Sequence, residues 1–156
     1  MKILAFIPAR GGSKGIPRKN LKKICGKPLI NWSVEAALNA RLVDRVVVST
    51  DDQEIADTAL KAGAEVPFLR PVELASDTSS TEDAMLHALA FEESEDRHYD
   101  AMLLLQPTSP LRRPDTIDAA ITHFISSNCN SLVSVCEDHS FTWKNIDADP
   151  YMSAQG

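Results

Sequence analysis

The sequence predicts an α/β fold in which a mainly parallel β-sheet is covered by helices on both faces. Short apolar runs rich in Val, Ile and Leu alternate with longer amphipathic segments, which is typical of successive right-handed βαβ units. The chain has 156 residues, 44% of them hydrophobic and 24% charged, a size and composition that suit one domain with its own core. There is no internal repeat and no low-complexity segment.

The first third of the chain predicts strand, loop, helix and strand. Residues 2–8 (KILAFIP) and residues 45–50 (RVVVST) are apolar enough for strands that are buried on both faces. A Gly-rich loop follows the first strand. Pro28 suits the first position of a helix that continues to about residue 40. The apolar face of this helix is Ile30, Val34, Ala37 and Leu38.

The middle of the chain continues the same alternation. Asp51 or Asp52 is a suitable N-cap for a second helix, and Gly63 is a suitable stop. Residues 65–69 predict a third strand, and residues 70–79 a polar loop. The predicted apolar face of the second helix is Ile55, Ala59 and Leu60.

The last third predicts two more helices and two more strands. Ser79 or Ser80 caps a helix with Met85, Ala88 and Leu89 on its apolar face, and residues 100–105 form a fourth strand. Pro114 begins the most regular amphipathic segment. Residues 131–136 predict a fifth strand, and the polar residues after about 138 predict loop. The last helix has the apolar positions Ile117, Ala120, Ile121, Phe124 and Ile125.

The charge of the chain is unevenly distributed. Residues 1–34 carry eight Lys and Arg side chains and no acid, although the whole chain has a net charge of −6. An acidic protein is a poor candidate for nucleic-acid binding, but a basic segment on an acidic body indicates a local site for an anion. In open parallel sheets such sites lie beyond the carboxyl ends of the strands.

Membrane and metal-binding patterns are missing from the sequence. No apolar run approaches the roughly 18–20 residues of a membrane span, and residues 3–7 are too short for the core of a signal peptide. Cys25, Cys129 and Cys136 have no C-x-x-C spacing, so we expect buried or inert thiols. We therefore expect a cytoplasmic protein without a membrane partner.

The segment PARGGSKGIPRKN, directly after the first predicted strand, is the best candidate for the anion site. Paired glycines let the backbone approach an oxyanion and can turn their N–H groups toward it. Arg10, Lys14 and Lys19 would supply the positive charge that a triphosphate requires. The pattern is neither a Walker A loop nor a G-x-G-x-x-G fingerprint. A basic surface turn is the alternative interpretation.

The segment IPARGGSKGIPRKN resembles the opening motif of the CMP-sialic acid synthetases, the N-acylneuraminate cytidylyltransferases. The similarity continues in order through VVVSTDDQEIA, LRPVELASDTSSTEDA and LLLQPTSPLRRPDTI, and so covers nearly the whole chain. Related enzymes activate legionaminic and pseudaminic acid. The resemblance implies a three-layer, Rossmann-like nucleotidyltransferase with a mainly parallel sheet. It also implies CTP and an acidic nine-carbon sugar as substrates, Mg²⁺ as cofactor and a homodimer.

The resemblance assigns roles to individual residues. Arg10 and Lys19 match the residues expected to act in catalysis, Arg10 at the triphosphate and Lys19 at the reacting α-phosphate. Arg70 corresponds to an arginine that reads the cytosine edge. The full expected nucleotide site is Arg10, Gly11, Gly12, Ser13, Lys14, Lys19, Asn20, Arg70, Ser79 and Thr81. The expected sugar site is Gln106, Thr108, Ser109 and Arg112.

Several of these residues also have simpler interpretations. Ser80-x-x-Asp83 fits a capping box, although capping and ligand contact are compatible because a helix N-terminus attracts anions. Asp51 and Asp52 are better caps than metal ligands. His87 lies beside an apolar helix face, where a packing role is expected. Arg112 and the neighbouring Arg113 could both pair with the carboxylate of a sugar.

The relatives that the sequence resembles continue beyond the length of this chain. We therefore expect residues 1–156 to be a single cytidylyltransferase domain, incomplete at the C-terminus, with the Asp pair that holds Mg²⁺ beyond residue 156. Asp147 and Asp149 are not expected to be that pair. Two other functions remain open: a non-catalytic nucleotide-binding fragment of such an enzyme, and a related cytidylyltransferase for the eight-carbon acid Kdo.

Overall fold

The computed structural model describes residues 1–135 and 137. Its main sheet has three parallel strands in the order β4-β1-β5, so the predicted α/β class is confirmed. A two-stranded antiparallel hairpin, β2–β3, forms a second small sheet. The strands and helices are β1 (Ile3–Pro8), β2 (Lys23–Ile24), β3 (Lys27–Pro28), α1 (Leu29–Leu38), β4 (Arg45–Ser49), α2 (Gln53–Lys61), α3 (Thr81–Ser94), β5 (Ala101–Leu104) and α4 (Pro114–Ser127).

Strand β1 is the centre of the sheet, and its register brings three strand ends to one edge. Pro8 lies opposite Ser49 at the end of β4, and Phe6 lies opposite Leu104 at the end of β5. The ladder extends one residue further on each side, where Ala9 N–H donates to the Ser49 carbonyl at 2.9 Å and Leu105 N–H donates to the Phe6 carbonyl at 2.9 Å. The loops that leave these strands therefore begin side by side.

Helices cover both faces of the sheet, as the sequence predicts. Alternate residues of a strand point to opposite faces, and β1 uses both: Ile7 packs in a large cluster with residues of α1, α2 and α4, while Phe6 packs with Ala84 and Ala88 of α3. All of these side chains are buried. Burying a residue such as Phe6 contributes about 1.5–3 kcal/mol.

The helix boundaries follow from the capping residues named in the sequence. Asp52 caps α2 by accepting from the Glu54 and Ile55 N–H groups, and Ser80 with Asp83 forms a reciprocal capping box on α3. Gly63, with φ +97°, follows the end of α2 in a left-handed conformation that glycine adopts without strain. The predicted role of Leu60 on the apolar face of α2 is wrong, since this side chain is 52% exposed.

Two predicted strands differ from the structure. Residues 65–69 form only two isolated bridges to the sheet, at Glu65 and Leu69, because Pro67 between them has no N–H to donate to β4. Residues 131–135 form no strand, and Val133 and Val135 are 78% and 89% exposed, with no ladder partner among the described residues. Cys136 and the loop predicted after residue 138 lie outside the described residues.

The hairpin β2–β3 was not predicted. Its turn residues Cys25 and Gly26 have φ of +51° and +81°, the left-handed pair that a two-residue hairpin turn requires. Because Pro28 belongs to β3 and has ψ of 142°, it is the N-cap of α1 rather than its first helical residue. Within the part of the chain that the structure describes, no helix is long and apolar enough to cross a membrane.

Candidate functional site

A cavity of about 590 Å³ lies at the carboxyl edge of the sheet, between the loop that follows β1, the segment of residues 70–81 and the loop that follows β5. It brings together residues that are up to 100 positions apart in the chain, from Pro8 to Thr108. The predicted site residues that line it are Arg10, Ser13, Lys14, Lys19, Asn20, Arg70, Ser79, Thr81, Gln106 and Thr108. The first five come from the basic loop, which is the segment of highest positive charge in the sequence.

The paired glycines Gly11 and Gly12 do not line the cavity, although Gly15 does, in contrast to the expectation that the N–H groups of the pair face an anion. The Gly11 N–H instead donates to Asp51 Oδ1 at 2.9 Å. A Cβ on Gly11 would lie 2.8 Å from Asp52 Oδ2 and 2.9 Å from Asp52 Cβ, closer than a Cβ atom approaches other heavy atoms. Gly11 therefore allows the loop to lie against the start of α2, whereas a Cβ on Gly12 would meet nothing within 4 Å.

The backbone of Arg10 is fixed by a hydrogen bond within the basic loop. The buried Asn20 side chain, 5% exposed, donates to the Arg10 carbonyl at 3.1 Å and so joins the two ends of the loop. The Arg10 guanidinium donates to the Ser76 carbonyl at 2.8 Å and forms an ion pair with Asp77 at 3.0 Å. Lys14 Nζ reaches the other oxygen of Asp77 at 2.7 Å.

Lys19 differs from the other cations of the loop. It begins a short 3₁₀-helix, Lys19–Leu21, after Arg18 turns the chain with φ of 53°. The Arg18 side chain points away from the cavity and pairs with Asp52 at 3.2 Å and Glu54 at 2.7 Å. Lys19 is half-buried in the cavity wall, and its ammonium has no ion pair within the described part of the chain.

Arg70 is a buried arginine, 7% exposed, at the cavity wall. Its Nε donates to Ser49 Oγ at 2.9 Å, Nη2 to the Ser49 carbonyl at 2.5 Å and Nη1 to the Leu74 carbonyl at 3.5 Å. Burial lowers the pKa of Arg70, Asp51 opposes this change and Arg10 adds to it. Three of its five N–H groups are thus used by the protein, which leaves two for a ligand.

The start of α3 forms the opposite wall of the cavity. Ser79 Oγ donates to the Glu73 carbonyl at 2.6 Å and lies 2.7 Å from Ser76 Oγ, while Ser80 is the N-cap. The capping interpretation is therefore confirmed for Ser80. Thr81 is the first helical residue and lines the cavity with its half-buried side chain.

Only two of the four residues predicted to bind the sugar lie in the cavity wall. Gln106 and Thr108 line the cavity, whereas Ser109 and Arg112 do not. Burial lowers the pKa of Arg112, and its Nη1 is buried without a hydrogen-bond partner among the described residues. Arg113 is paired with Asp115 at 2.6 Å, so its guanidinium is already engaged.

Other residues named from the sequence have roles in the fold or lie outside the cavity. Asp52 caps α2, and His87 packs edge-on against the Phe68 ring with centroids 4.7 Å apart, as the packing role predicts. Cys25 is exposed at the turn of the hairpin, so of the two alternatives expected for the cysteines, buried or inert, burial does not apply to it. Among residues 1–135 and 137, no three His, Cys, Asp or Glu side chains are arranged to hold a metal ion.

Asp77 is a charged residue of the cavity wall that was not among the predicted site residues. It contacts both Arg10 and Lys14, and the hydrogen bond from Lys14 is the main reason that its pKa is lowered. Its one sequence signal is its place in the polar loop between a strand end and a capped helix, where Asp77 is one of two acids, with Glu73.

Comparison with known proteins gives consistent relatives. A family described as Cytidylyltransferase matches residues 4–147. The chain is 48% identical over 136 residues to the CMP-N,N'-diacetyllegionaminic acid synthase of Legionella pneumophila subsp. pneumophila, covering 86% of this chain and 58% of that protein. It is 39% identical over 145 residues to N-acylneuraminate cytidylyltransferase A of Danio rerio, covering 93% of this chain and 33% of that protein.

A solved structure shows the same likeness. A CMP:2-keto-3-deoxy-manno-octonic acid synthetase complexed with CTP superimposes with a TM-score of 0.69 and 26% identity, covering 82% of this chain and 49% of that chain. The chain spans less than two thirds of the length of each of these relatives. The four ordered motifs, the parallel nucleotidyltransferase sheet and the matched residues 4–147 agree: this chain belongs to the cytidylyltransferase family.

Proposed function

We propose that this chain binds CTP in the cavity at the sheet edge and transfers CMP to the anomeric hydroxyl of an acidic nine-carbon sugar, N-acetylneuraminate or a related nonulosonate. The observation that carries the proposal is the cavity itself, in which three cations of the basic loop face a wall of hydroxyl side chains. The names of the relatives, which include a legionaminic acid synthase and an N-acylneuraminate cytidylyltransferase, support the substrate class.

The basic loop would hold the triphosphate. Arg10 can donate to two oxygens at once, and Lys14 adds a mobile charge, since it is 76% exposed. Lys19 would neutralise the α-phosphate as its charge develops, because its ammonium is not engaged by another described residue. Asn20 would position Arg10 through their hydrogen bond and contact the nucleotide from the same place, with Ser13 beside them.

The nucleoside would lie against Arg70, Ser79 and Thr81. The two remaining N–H groups of Arg70 can donate to the O2 and N3 acceptors of cytosine, while uracil presents a donor at N3. A mismatched buried polar group costs about 1–3 kcal/mol, which is enough for a preference between the two bases. The Ser79 and Thr81 hydroxyls would contact the base and the ribose.

The acceptor sugar would enter beside Gln106 and Thr108, with Ser109 and Arg112 outside the cavity lining. Its anomeric oxygen attacks the α-phosphorus in line, the new O–P bond forms, and the bond from that phosphorus to the β-phosphate oxygen breaks. Pyrophosphate leaves with the bonding electrons, and the hydroxyl proton is released. Such a transfer depends mainly on positioning and charge neutralisation.

Mg²⁺ belongs to the proposal as a cofactor that would neutralise phosphate charge when bound. The described residues do not form a metal site, since no three suitable side chains come together in residues 1–135 and 137. We therefore assign no step to the metal. Titrating Mg²⁺ into the CTP-binding assay measures whether this chain uses it.

The test is pyrophosphate release from CTP with N-acetylneuraminate, with N,N'-diacetyllegionaminate and with Kdo, run beside a CTP titration of the same sample. We expect binding of CTP and release with a nine-carbon acid. Lys19→Ala should abolish release, whereas Lys23→Ala, an exposed lysine of the hairpin outside the cavity, should not change it. Release with Kdo alone would assign the eight-carbon substrate instead.

The length of the chain makes binding and turnover separate questions, since it spans 58% of the legionaminic acid relative. CTP binding without release would favour the nucleotide-binding fragment, and the absence of CTP binding would contradict the proposed site. We also propose a homodimer, for which light scattering after gel filtration should give twice the chain mass of 17.1 kDa.

A further inference from the structure

The carboxylate of Asp77 forms ion pairs with two of the three cations that the proposed triphosphate would use, Arg10 and Lys14. Its Oδ1 lies 3.0 Å from Arg10 Nη2, and its Oδ2 lies 2.7 Å from Lys14 Nζ. One carboxylate thus presents two oxygens to two separate donors, as two oxygens of a phosphate group would. The neighbouring Ser76 carbonyl accepts from Arg10 Nη1 at 2.8 Å, so the guanidinium is engaged on both of its terminal nitrogens.

We infer that Asp77 is an internal counter-ion of the phosphate subsite, displaced when a polyphosphate binds and returned to Arg10 and Lys14 when pyrophosphate leaves. The inference rests on the proposed function, and it adds a residue that sets how tightly the site holds its anion. A polyphosphate must break two existing ion pairs before it can form its own with the same donors.

The loop that carries Asp77 is short and locally ordered, which keeps the carboxylate close to the subsite after displacement. It connects the 3₁₀-helix Val72–Leu74 to the cap of α3 at Ser80. Ser76 Oγ lies 3.1 Å from Thr78 Oγ1 and 2.7 Å from Ser79 Oγ. A negative charge held near a bound polyphosphate repels it, so Asp77 would lower the affinity for CTP and speed the departure of pyrophosphate.

This arrangement distinguishes between ligands by whether they reach Arg10 and Lys14. A triphosphate that spans the basic loop competes with Asp77 directly. Cytidine, which has no phosphate, would leave the two ion pairs intact. The side chain of Asp77 is 43% exposed and that of Lys14 is 76% exposed, so the pairs are open to exchange with a ligand and sensitive to salt.

The test compares Asp77→Asn with the wild-type chain and with Asp96→Asn as a matched control. Asp96 follows the far end of α3, about 21 Å along a 14-residue helix from the cavity wall at Thr81. Its φ of 57° is a conformation that asparagine tolerates well. Inorganic tripolyphosphate, cytidine and CTP are the probes, titrated by calorimetry at low salt.

We expect Asp77→Asn to bind tripolyphosphate about 1.5- to fivefold more tightly than the wild type, the range that loss of an exposed charge contact produces. Asp96→Asn should match the wild type, and cytidine should bind equally to all three. The gain should shrink at high salt. Asp77→Ala, which also removes the charge, should show the same direction of change and guards against a local effect of the asparagine side chain.

Equal or weaker binding of tripolyphosphate by both Asp77 variants would overturn the inference, as would the absence of tripolyphosphate binding to any of the chains. The CTP arm tests the proposed function separately. If the Asp77 variants gain affinity for tripolyphosphate but no chain binds CTP, the counter-ion role holds and the nucleotide function fails. If CTP binds and the Asp77 variants show no gain, the counter-ion role alone is wrong.

Discussion

Replacing Gly11 by alanine places a methyl group against a side chain that cannot easily move. The new Cβ would lie 2.9 Å from Asp52 Cβ and 2.8 Å from Asp52 Oδ2. Because Cβ is attached directly to the backbone, rotation of the Asp52 side chain does not relieve the first contact. Asp52 also holds the N-terminus of α2 through two N–H groups.

The expected cost follows from the contacts that must give way. Moving Asp52 weakens the helix cap, for which about 0.5–2 kcal/mol is typical. Moving the loop instead breaks the Gly11–Asp51 hydrogen bond, worth about 1 kcal/mol. Alanine also lowers the conformational entropy of the unfolded chain, which offsets about 0.4–1 kcal/mol of this loss of stability. We expect Gly11→Ala to lower the free energy of unfolding by up to about 1.5 kcal/mol and to weaken CTP binding.

The neighbouring glycine provides the control. A Cβ on Gly12 meets nothing within 4 Å, and its φ lies outside the left-handed range. Gly12→Ala should therefore leave stability unchanged or raise it by up to about 1 kcal/mol. Urea unfolding of the two variants and the wild type measures the difference. Equal stability of Gly11→Ala and Gly12→Ala would refute the reasoning from the close approach to Asp52.

Three further outcomes are expected from contacts elsewhere in the chain. Glu92→Ala should lower the free energy of unfolding by about 3–5 kcal/mol in urea, because the fully buried Glu92 binds Arg45 at 3.0 Å; a loss below about 1 kcal/mol would contradict this. Ser80→Ala should cost about 1 kcal/mol through the cap of α3, and an unchanged urea midpoint would argue against it. The pKa of Asp77 is lowered, chiefly by the hydrogen bond from Lys14. The ionised Asp77 side chain therefore stabilises the fold fully above about pH 4, and this contribution is lost as the pH falls through its folded-state pKa. In urea unfolding at acid pH, Asp77→Asn and the wild type should then have the same free energy of unfolding.

The elements that the sequence predicts correctly are those with a strong apolar period or a specific cap. Residues 3–8 are apolar throughout and residues 46–48 are three consecutive valines, as strands that are buried on both faces require. The start of α4 follows from Pro114, and the start of α3 from the Ser80 capping box. In each case the signal lies within a few residues of the feature it predicts.

The errors arise where a distant partner decides the structure. An apolar run becomes a strand only if another strand accepts its hydrogen bonds, and residues 131–135 have none within the described chain. Pro67 was inside a run that otherwise suits a strand, and its missing N–H reduces that run to two bridges. The hairpin turn at Cys25 and Gly26 was not predicted, because the lysines around it indicated a binding loop instead.

In the candidate site, too, the overall position could be predicted from the sequence, but the contacts between distant residues could not. The position of the cavity follows from the parallel sheet, so residues from three separate motifs could be expected to meet there. The partners of individual side chains could not be expected, because the Gly11–Asp51 and Arg10–Asp77 contacts join residues that are 40 and 67 positions apart. A pattern of residue types gives the charge of a loop but not the direction in which each N–H points.

The two contacts that Asp51 and Asp52 make with the basic loop connect that loop to the first turn of α2. Fraying of this turn frees the Asp52 carboxylate and removes the surface on which Gly11 lies. The loop and the helix start should therefore open as one cooperative unit. In native-state hydrogen exchange, the amides of Gly11 and Ile55 should show a common opening free energy, and a bound polyphosphate that orders the loop should slow the exchange of both.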